Sequence, residues 1–256
     1  MSGVPTSFHL GPLVFHLYGF GLAIAAYVTY LYARRRLARS SFDTQPFARF
    51  AAVLIVAGLV GARVASIATN WGYYAGHPSR WVAVWQGGLA SFGGIALALP
   101  IGLALRRHWW PETSTVEFSD ALIPALVAGW ALGRLLGPQF MVNGGGHLTH
   151  QWFGIHYAGQ VGRRVPVPLI QGAEDGALWL VLIGIERCIR PRVVGLVSGT
   201  AMLVWGLVRA IDERLLLGQQ SHSGSIGVQL AGLILSLGGA IVLVVEFRAA
   251  RSTPGR

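Results

Sequence analysis

Asp120-Ala-Leu-Ile-Pro-Ala-Leu-Val-Ala-Gly-Trp-Ala-Leu-Gly-Arg134 is an apolar run of the kind that spans a bilayer, and it ends in an arginine. A second run, Gly199-Thr-Ala-Met-Leu-Val-Trp-Gly-Leu-Val208, is followed directly by Arg209. Because a guanidinium cannot lose its proton, burial cannot neutralise it. An arginine at bilayer depth costs about 3 kcal/mol even on the mildest scale, so two of them indicate an anion-binding function. The alternative for each is that the side chain extends to the lipid headgroups.

The composition is that of a membrane protein with closely packed helices. Hydrophobic residues make up 53% of the 256 residues, charged residues only 12%, and 35 residues are glycine. All 20 basic residues are arginines, and most lie in short clusters beside apolar runs. We therefore interpret the net charge of +10 as a topology signal and expect no nucleic-acid partner. The single cysteine, Cys188, excludes an intramolecular disulfide and a multi-cysteine metal site.

Seven apolar stretches have about the 20-residue length that a bilayer requires. They cover roughly 11–33, 48–69, 87–105, 119–137, 174–189, 193–212 and 225–247. The arginine clusters between and after them all fall inside if the N-terminus is outside. The sequence therefore predicts an all-α, polytopic integral membrane protein of about seven transmembrane helices, with the N-terminus out and the C-terminus in. We expect one membrane domain over 1–256, and a first span that is retained rather than cleaved as a signal peptide.

Several arginines fall on the outer side of this arrangement, where the topology rule does not explain them. They are Arg63, Arg80, Arg134, Arg163, Arg164, Arg209 and Arg214. We expect a functional anion on that side. The longest connection, 138–173, is also outside, and connections of that length are commonly functional. The aromatic segment 70–86 is typical of a short amphipathic element at the membrane interface.

Three local patterns bear on chemistry and packing. Arg209 and Glu213 are four residues apart, so on a helix they share a face and can pair, which would orient the guanidinium. The alternative is an ordinary salt bridge at a helix end. The histidines of the outer loop lack the spacing of a compact zinc motif, so we expect no metal site and no cofactor. Gly93-Gly94 favours close packing between helices.

Short motifs follow one another in a characteristic order along nearly the whole chain. They are His16-Leu-Tyr18-Gly19; Gly61-Ala-Arg63 with Tyr73-Tyr74, His77-Pro78 and Trp85-Gln-Gly-Gly88; Asp120 to Pro124 with Gly133-Arg134; and Arg209 to Glu213 with Ser225-Ile-Gly227 and Gln229. In this order and spacing the chain resembles the prolipoprotein diacylglyceryl transferase family, over about residues 10–247.

The resemblance implies a transferase of lipoprotein biosynthesis in the bacterial inner membrane. Such an enzyme transfers the sn-1,2-diacylglyceryl group from phosphatidylglycerol to the lipobox cysteine thiol of a preprolipoprotein. The expected partners are phosphatidylglycerol, preprolipoprotein signal peptides and membrane lipids.

The resemblance also implies roles for individual residues. Arg134 would hold the phosphate of phosphatidylglycerol, and Arg209 would stabilise the departing glycerol phosphate. Glu213 would orient Arg209, and Tyr18 would line the headgroup site. The other expected substrate contacts are His16, Gly133 and Asn143.

The chain departs from the family pattern at four places, one of which is a longer stretch between Arg134 and Asn143. Phe92 stands where many members have a histidine that is the proposed base, and Gly145 replaces an acidic residue. The family's His-Pro-Thr-x-Leu-Tyr-Glu is reduced to the segment 167–174. We expect His147 to accept the thiol proton, with His16 as the second candidate, because an unperturbed histidine pKa near 6.5 suits that step. The alternatives are a divergent phospholipid-binding paralogue without transfer activity, and a transporter.

The arginine clusters predict a topology that reporter fusions can test. Fusions after Arg39, Arg107, Arg192 and Arg256 should report the cytoplasm, and a fusion near His150 should report the outer side. An outside signal after Arg107 would contradict the arrangement of seven spans.

Overall fold

The computed structural model describes residues 7–10, 13–82, 90–136, 145–157, 159–189, 193–214 and 222–252. The described elements are β1 (Ser7–Leu10), β2 (Leu13–His16), α1 (Leu17–Arg39), α2 (Phe47–Thr69), α3 (Trp71–Ala75), a 3-10 turn (Pro78–Trp81), α4 (Ser91–Trp109), α5 (Thr115–Leu136), β3 (Ile155–His156), β4 (Arg163–Arg164), α6 (Val167–Cys188), α7 (Leu196–Asp212) and α8 (His222–Ser252). Two compact units are formed by Met1–Arg36 with Val116–Arg256, and by Leu37–Thr115.

Helices dominate both units, which confirms the prediction of a helical membrane protein. Each predicted span falls on one of the long helices α1, α2 and α4 to α8. Among the described residues, four segments are long and apolar enough to cross a membrane: Phe47–Thr69, Thr115–Leu136, Val167–Cys188 and Ile226–Ala249. Their outward surfaces are apolar, as Ile234 (70% exposed) and Leu237 (62% exposed) illustrate. The number of seven crossings and their orientation stay predictions.

Two predicted boundaries were wrong. The first helix begins at Leu17 rather than near residue 11, because Leu13–His16 forms a strand that pairs antiparallel with Ser7–Leu10. Aromatic and β-branched residues in these short runs favour strands. Helix α6 begins at Val167 rather than near 174, with Pro166 as N-cap and Pro168 in the first turn, where proline is tolerated. The polar residues in the first half of α6 interrupt its apolar pattern, and for that reason the sequence predicts a later start of the helix. In the structure these residues lie on the helix.

Small residues set the closest helix contacts in each unit, as the glycine pattern predicted. In the second unit, a Cβ on Gly94 of α4 would lie 2.9 Å from the carbonyl O of Gly58 on α2. In the first unit, a Cβ on Gly232 of α8 would lie 2.6 Å from the carbonyl O of Gly206 on α7. Both distances are too short for a side chain, so glycine lets the two backbones touch.

Arg63 is a structural residue of the second unit. Its buried guanidinium donates hydrogen bonds to the carbonyl of Trp81 (3.0 Å), to that of Arg80, and to the hydroxyl of Tyr74 (3.2 Å). It also lies 5.1 Å from the centre of the Tyr74 ring. These contacts hold α3 and the 3-10 turn against α2. Arg63 is one of the arginines for which the sequence predicts an anion partner. In the structure its guanidinium binds carbonyl and hydroxyl groups of its own chain.

Arg36 and Asp120 connect four helices of the first unit. Arg36 donates to the backbone carbonyls of Ala121 (2.7 Å) and Asp120 (3.2 Å) on α5, and forms a salt bridge with Glu186 on α6. The Asp120 carboxylate accepts from the backbone N–H groups of Gly195 and Ser198, each at 2.7 Å, at the start of α7. An aspartate on one helix thus caps another, and Asp120 of the recognised motif has a structural role.

We expect Asp120→Ala to lower the free energy of unfolding by about 2 kcal/mol, because it removes two hydrogen bonds from a charged acceptor to a helix N-terminus. Thermal unfolding in detergent micelles measures the loss. Glu112→Ala, at an exposed position before α5, is the matched control. Equal melting temperatures for the two variants would contradict the capping role.

Candidate functional site

The centre of the candidate site is Arg209, in the last turn of α7. Its side chain is only 8% exposed. A single nitrogen, Nη2, approaches three carboxylates: Glu174 Oε2 at 3.2 Å, Asp212 Oδ2 at 3.3 Å and Asp175 Oδ1 at 3.5 Å. A cation that cannot be neutralised is thereby held among anions, which is the condition for keeping it buried.

Two further side chains hold these carboxylates in place. Trp205 donates its indole N–H to Asp175 Oδ1 at 3.0 Å, and Gln171 donates its amide to Asp212 Oδ2 at 3.0 Å. The Arg209 guanidinium carbon lies 5.7 Å from the centre of the Trp205 ring. Asp175 is 1% exposed and Asp212 is 6% exposed. The position of Arg209 is therefore determined by α6 and α7 together.

Two donors of Arg209 remain without a hydrogen bond. Its Nε and Nη1 atoms are buried and have no partner among the described residues. An unsatisfied buried donor costs about 1–3 kcal/mol, and more when the group is charged. Oxygen atoms of a bound oxyanion would satisfy both donors, so this side chain is preorganised for an anionic ligand.

Arg134, the second predicted arginine, joins the same cluster. It lies in the last turn of α5 and is half-buried. Its charge acts on the carboxylate of Asp175, the same group that Arg209 contacts. The C-terminal ends of α5 and α7 and the first half of α6 thus place both predicted arginines within electrostatic range of Asp175, which Arg209 also contacts. Gly133 precedes Arg134, and a Cβ there would lie 3.6 Å from Leu22 on α1, an ordinary contact.

An apolar groove of about 160 Å³ adjoins this cluster. It is an open groove at the protein surface between α5, α7 and α8, and Trp130, Met202 and Leu235 are among its lining residues. Trp205 is shared: its ring lines the groove, and its indole N–H binds Asp175. A charged cluster beside an apolar groove suits a ligand with an anionic head and a hydrocarbon chain.

The other predicted site residues lie in several elements. His16 ends β2 and Tyr18 is the second residue of α1. Glu213 is the C-cap of α7 and is half-buried; its backbone N–H donates to the carbonyls of Arg209 and Ile211. His147 is exposed, with Nδ1 at 3.0 Å from the carbonyl O of Leu148. Asn143 lies outside the described residues.

The connection between α5 and α6 that contains His147 is held together, in its described part, by its own arginines. Arg163 donates to the carbonyls of Gly154 (3.1 Å) and Trp152 (2.8 Å), and Arg164 donates to that of Gly146 (2.9 Å). These side chains bind carbonyls of the segment itself. Nearby, burial raises the pKa of the Tyr157 hydroxyl, so this phenol stays neutral at physiological pH.

Gly145 illustrates why an acidic residue is absent from this segment. Its N–H donates to Gln160 Oε1 at 2.9 Å, and a Cβ at Gly145 would lie 2.7 Å from that oxygen and from the Cβ of Arg164. No side chain fits there without a shift of the backbone or of these neighbours. Glycine in place of the family's acidic residue at this position is therefore compatible with the close packing of Gln160 and Arg164.

Sequence reasoning missed the carboxylates that hold Arg209. The predicted span begins at Glu174 and gives neither Glu174 nor Asp175 a role, and the spacing of four residues pairs Arg209 with Glu213 rather than with Asp212. The available signal was the presence of acidic residues within apolar helical stretches, which is rare unless they are paired or functional.

The chain is similar to known proteins of one family. The family profile of prolipoprotein diacylglyceryl transferase matches residues 5–245. Three similar proteins are each named phosphatidylglycerol–prolipoprotein diacylglyceryl transferase. The protein from Tolumonas auensis is 26% identical over 91% of this chain and 94% of its own length, and that from Methylibium petroleiphilum is 30% identical over 82% and 81%. The protein from Cutibacterium acnes is 33% identical over 50% of this chain and 44% of its own length.

Proposed function

Because this chain belongs to the prolipoprotein diacylglyceryl transferase family, we propose that it transfers the sn-1,2-diacylglyceryl group from phosphatidylglycerol to the lipobox cysteine thiol of preprolipoproteins. In this role it acts in lipoprotein biosynthesis in the bacterial inner membrane, and its protein partners are preprolipoprotein signal peptides. The observation that carries the proposal at the level of residues is the buried guanidinium of Arg209 with two donors left open.

The chemistry explains why arginines suit this reaction. The sulfur of the incoming cysteine attacks the glycerol carbon that carries the phosphate, a C–S bond forms, and the C–O bond to the phosphate breaks. The bonding electrons pass to the phosphate oxygen, so negative charge grows on the leaving glycerol phosphate. Fixed cations at that point stabilise the transition state more than the ground state. The nucleophile belongs to the protein substrate, so Cys188 has no part in the reaction.

Within this proposal Arg134 holds the phosphate of phosphatidylglycerol and Arg209 stabilises the departing glycerol phosphate. Glu213 orients Arg209, and Tyr18 lines the headgroup site. The remaining proposed contacts with the lipid headgroup are made by His16, Gly133 and Asn143. The apolar groove beside Trp205 supports a diacyl substrate, because it offers hydrocarbon contacts next to the charged cluster.

We expect Arg134→Lys and Arg209→Lys each to reduce lipidation by at least about tenfold, because lysine keeps the charge but loses the planar, multi-donor geometry that fits phosphate. The assay is complementation of a strain depleted of its transferase, scored by lipidation of a reporter lipoprotein. Arg35→Lys, at an exposed position on α1, is the matched control and should lipidate normally.

The outcomes separate the two parts of the proposal. Full lipidation by both Arg134→Lys and Arg209→Lys would refute the proposed binding of the phosphate by these two arginines. A parent chain that is inserted in the membrane but lipidates no reporter would favour the divergent paralogue that binds phospholipid without transfer.

His147 stays our sequence-based candidate for the group that accepts the thiol proton, with His16 second. If a histidine is the acceptor, the pH profile of lipidation by the parent should contain the ionisation of that histidine. The variant that lacks this histidine, His147→Gln or His16→Gln, should lose that ionisation. An unchanged pH profile in both variants would exclude a histidine acceptor.

A further inference from the structure

The carboxyl groups around Arg209 differ in how far an external thiol can reach them. The Glu174 side chain is 33% exposed, whereas those of Asp175 and Asp212 are 1% and 6% exposed. We infer that Glu174 is the residue that accepts the proton of the incoming cysteine thiol, in place of a histidine. This inference rests on the proposed transferase function and adds a catalytic residue to it.

The two aspartates are buried and each binds fixed groups through one oxygen, although Asp175 Oδ2 has no hydrogen-bond partner in the described part of the chain. Asp175 Oδ1 accepts from the indole of Trp205 and faces Arg209, and Asp212 Oδ2 accepts from Gln171 and faces Arg209. Glu174 Oε2 lies 3.2 Å from Arg209 Nη2, and the Glu174 side chain also interacts with the carboxyl group of Asp212. Among the carboxylates that approach Arg209, Glu174 is thus the one that an incoming thiol can reach, which is what a proton acceptor requires.

A second and independent feature marks the place of the substrate. The Nε and Nη1 donors of Arg209 are buried and without a partner in the described part of the chain, so an oxyanion is expected within hydrogen-bond distance of the guanidinium that Glu174 also touches. The leaving phosphate and the proton acceptor are then neighbours across one guanidinium. This brings the acceptor to the reacting atoms rather than to a remote part of the chain.

The balanced step uses this proximity. The S–H proton passes to the Glu174 carboxylate, the sulfur forms its bond to the glycerol carbon, and the C–O bond electrons leave with the phosphate, which gains one negative charge. Protonation removes one negative charge from Glu174 and weakens its hold on Nη2 of Arg209. One carboxylate fewer then competes with the phosphate for this nitrogen at the moment when the charge on the phosphate increases.

The charge count of the cluster supports the same sequence of events. Three carboxylates face Arg209, and Arg134 adds a second positive charge through Asp175, so the fully ionised cluster carries one excess negative charge. An anionic phosphate is bound less favourably by such a cluster than by one that has taken up a proton. The groups that face Glu174 are Arg209 and Asp212 from α7 and Asp175 from its own helix.

The test is the pH dependence of transfer by the purified full-length chain, reconstituted in vesicles of phosphatidylglycerol with a synthetic lipobox peptide. A free thiol with a pKa of about 8.5 is only about 3% ionised at pH 7, so a variant without the acceptor must use that fraction. We expect Glu174→Gln to be roughly 30-fold slower than the parent at pH 7, and within about twofold of it at pH 9.5. Glu174→Asp should retain part of the activity at pH 7.

Glu186→Gln is the matched control, since Glu186 is a second glutamate on α6 that pairs with an arginine, Arg36. Its effect should be the same at pH 7 and pH 9.5. A defect of Glu174→Gln that does not shrink with pH would overturn the inference and leave Glu174 as a residue that only positions Arg209. Normal activity of Glu174→Gln, or a defect relieved by high pH in His147→Gln instead, would also overturn it. Absence of transfer by the parent would refute the proposed function itself.

Discussion

The rest of the candidate site depends on the permanent positive charge of Arg209 in a buried position. Because this guanidinium cannot be neutralised, the helices around it must provide anions and hydrogen-bond acceptors. Glu174 and Asp175 on α6 and Asp212 on α7 provide them, and Trp205 and Gln171 fix two of these carboxylates. All three bind at one nitrogen, which leaves two other donors of the same group for a ligand.

The position of α7 follows from polar contacts at both of its ends. At its start, the Asp120 carboxylate from α5 caps the first N–H groups, and at its end Arg209 binds carboxylates of α6. Between them, Gly206 allows α8 to approach until the backbones touch. A helix held at both ends and packed at its middle keeps Arg209 in a constant position. Preorganisation of that kind is what electrostatic stabilisation of a leaving group requires.

The buried arginines of the two units differ in what their guanidinium groups bind. Arg63 and Arg36 spend their donors on backbone carbonyls and, for Arg36, on Glu186. Arg209 has carboxylate partners at only one nitrogen, although it is as deeply buried as the other two. The difference lies in how the donors are satisfied and not in burial or charge. Two unsatisfied donors on one buried guanidinium, where Arg106, Arg134 and Arg164 each have one in the described part of the chain, therefore make Arg209 the candidate anion site.

The sequence by itself determined the helical membrane class, the approximate position of each long helix and the family, and it singled out Arg134 and Arg209 as candidate site residues. Apolar length, arginine clusters and motif order are local properties of the chain, so they can be read along it. Only the tertiary structure decided that Glu174, Asp175 and Asp212 surround Arg209, and that Asp120 caps α7. Glu174 and Arg209 are far apart in the sequence and meet because α6 packs against α7. The residue pattern of one helix does not predict which side chains of a neighbouring helix will face it.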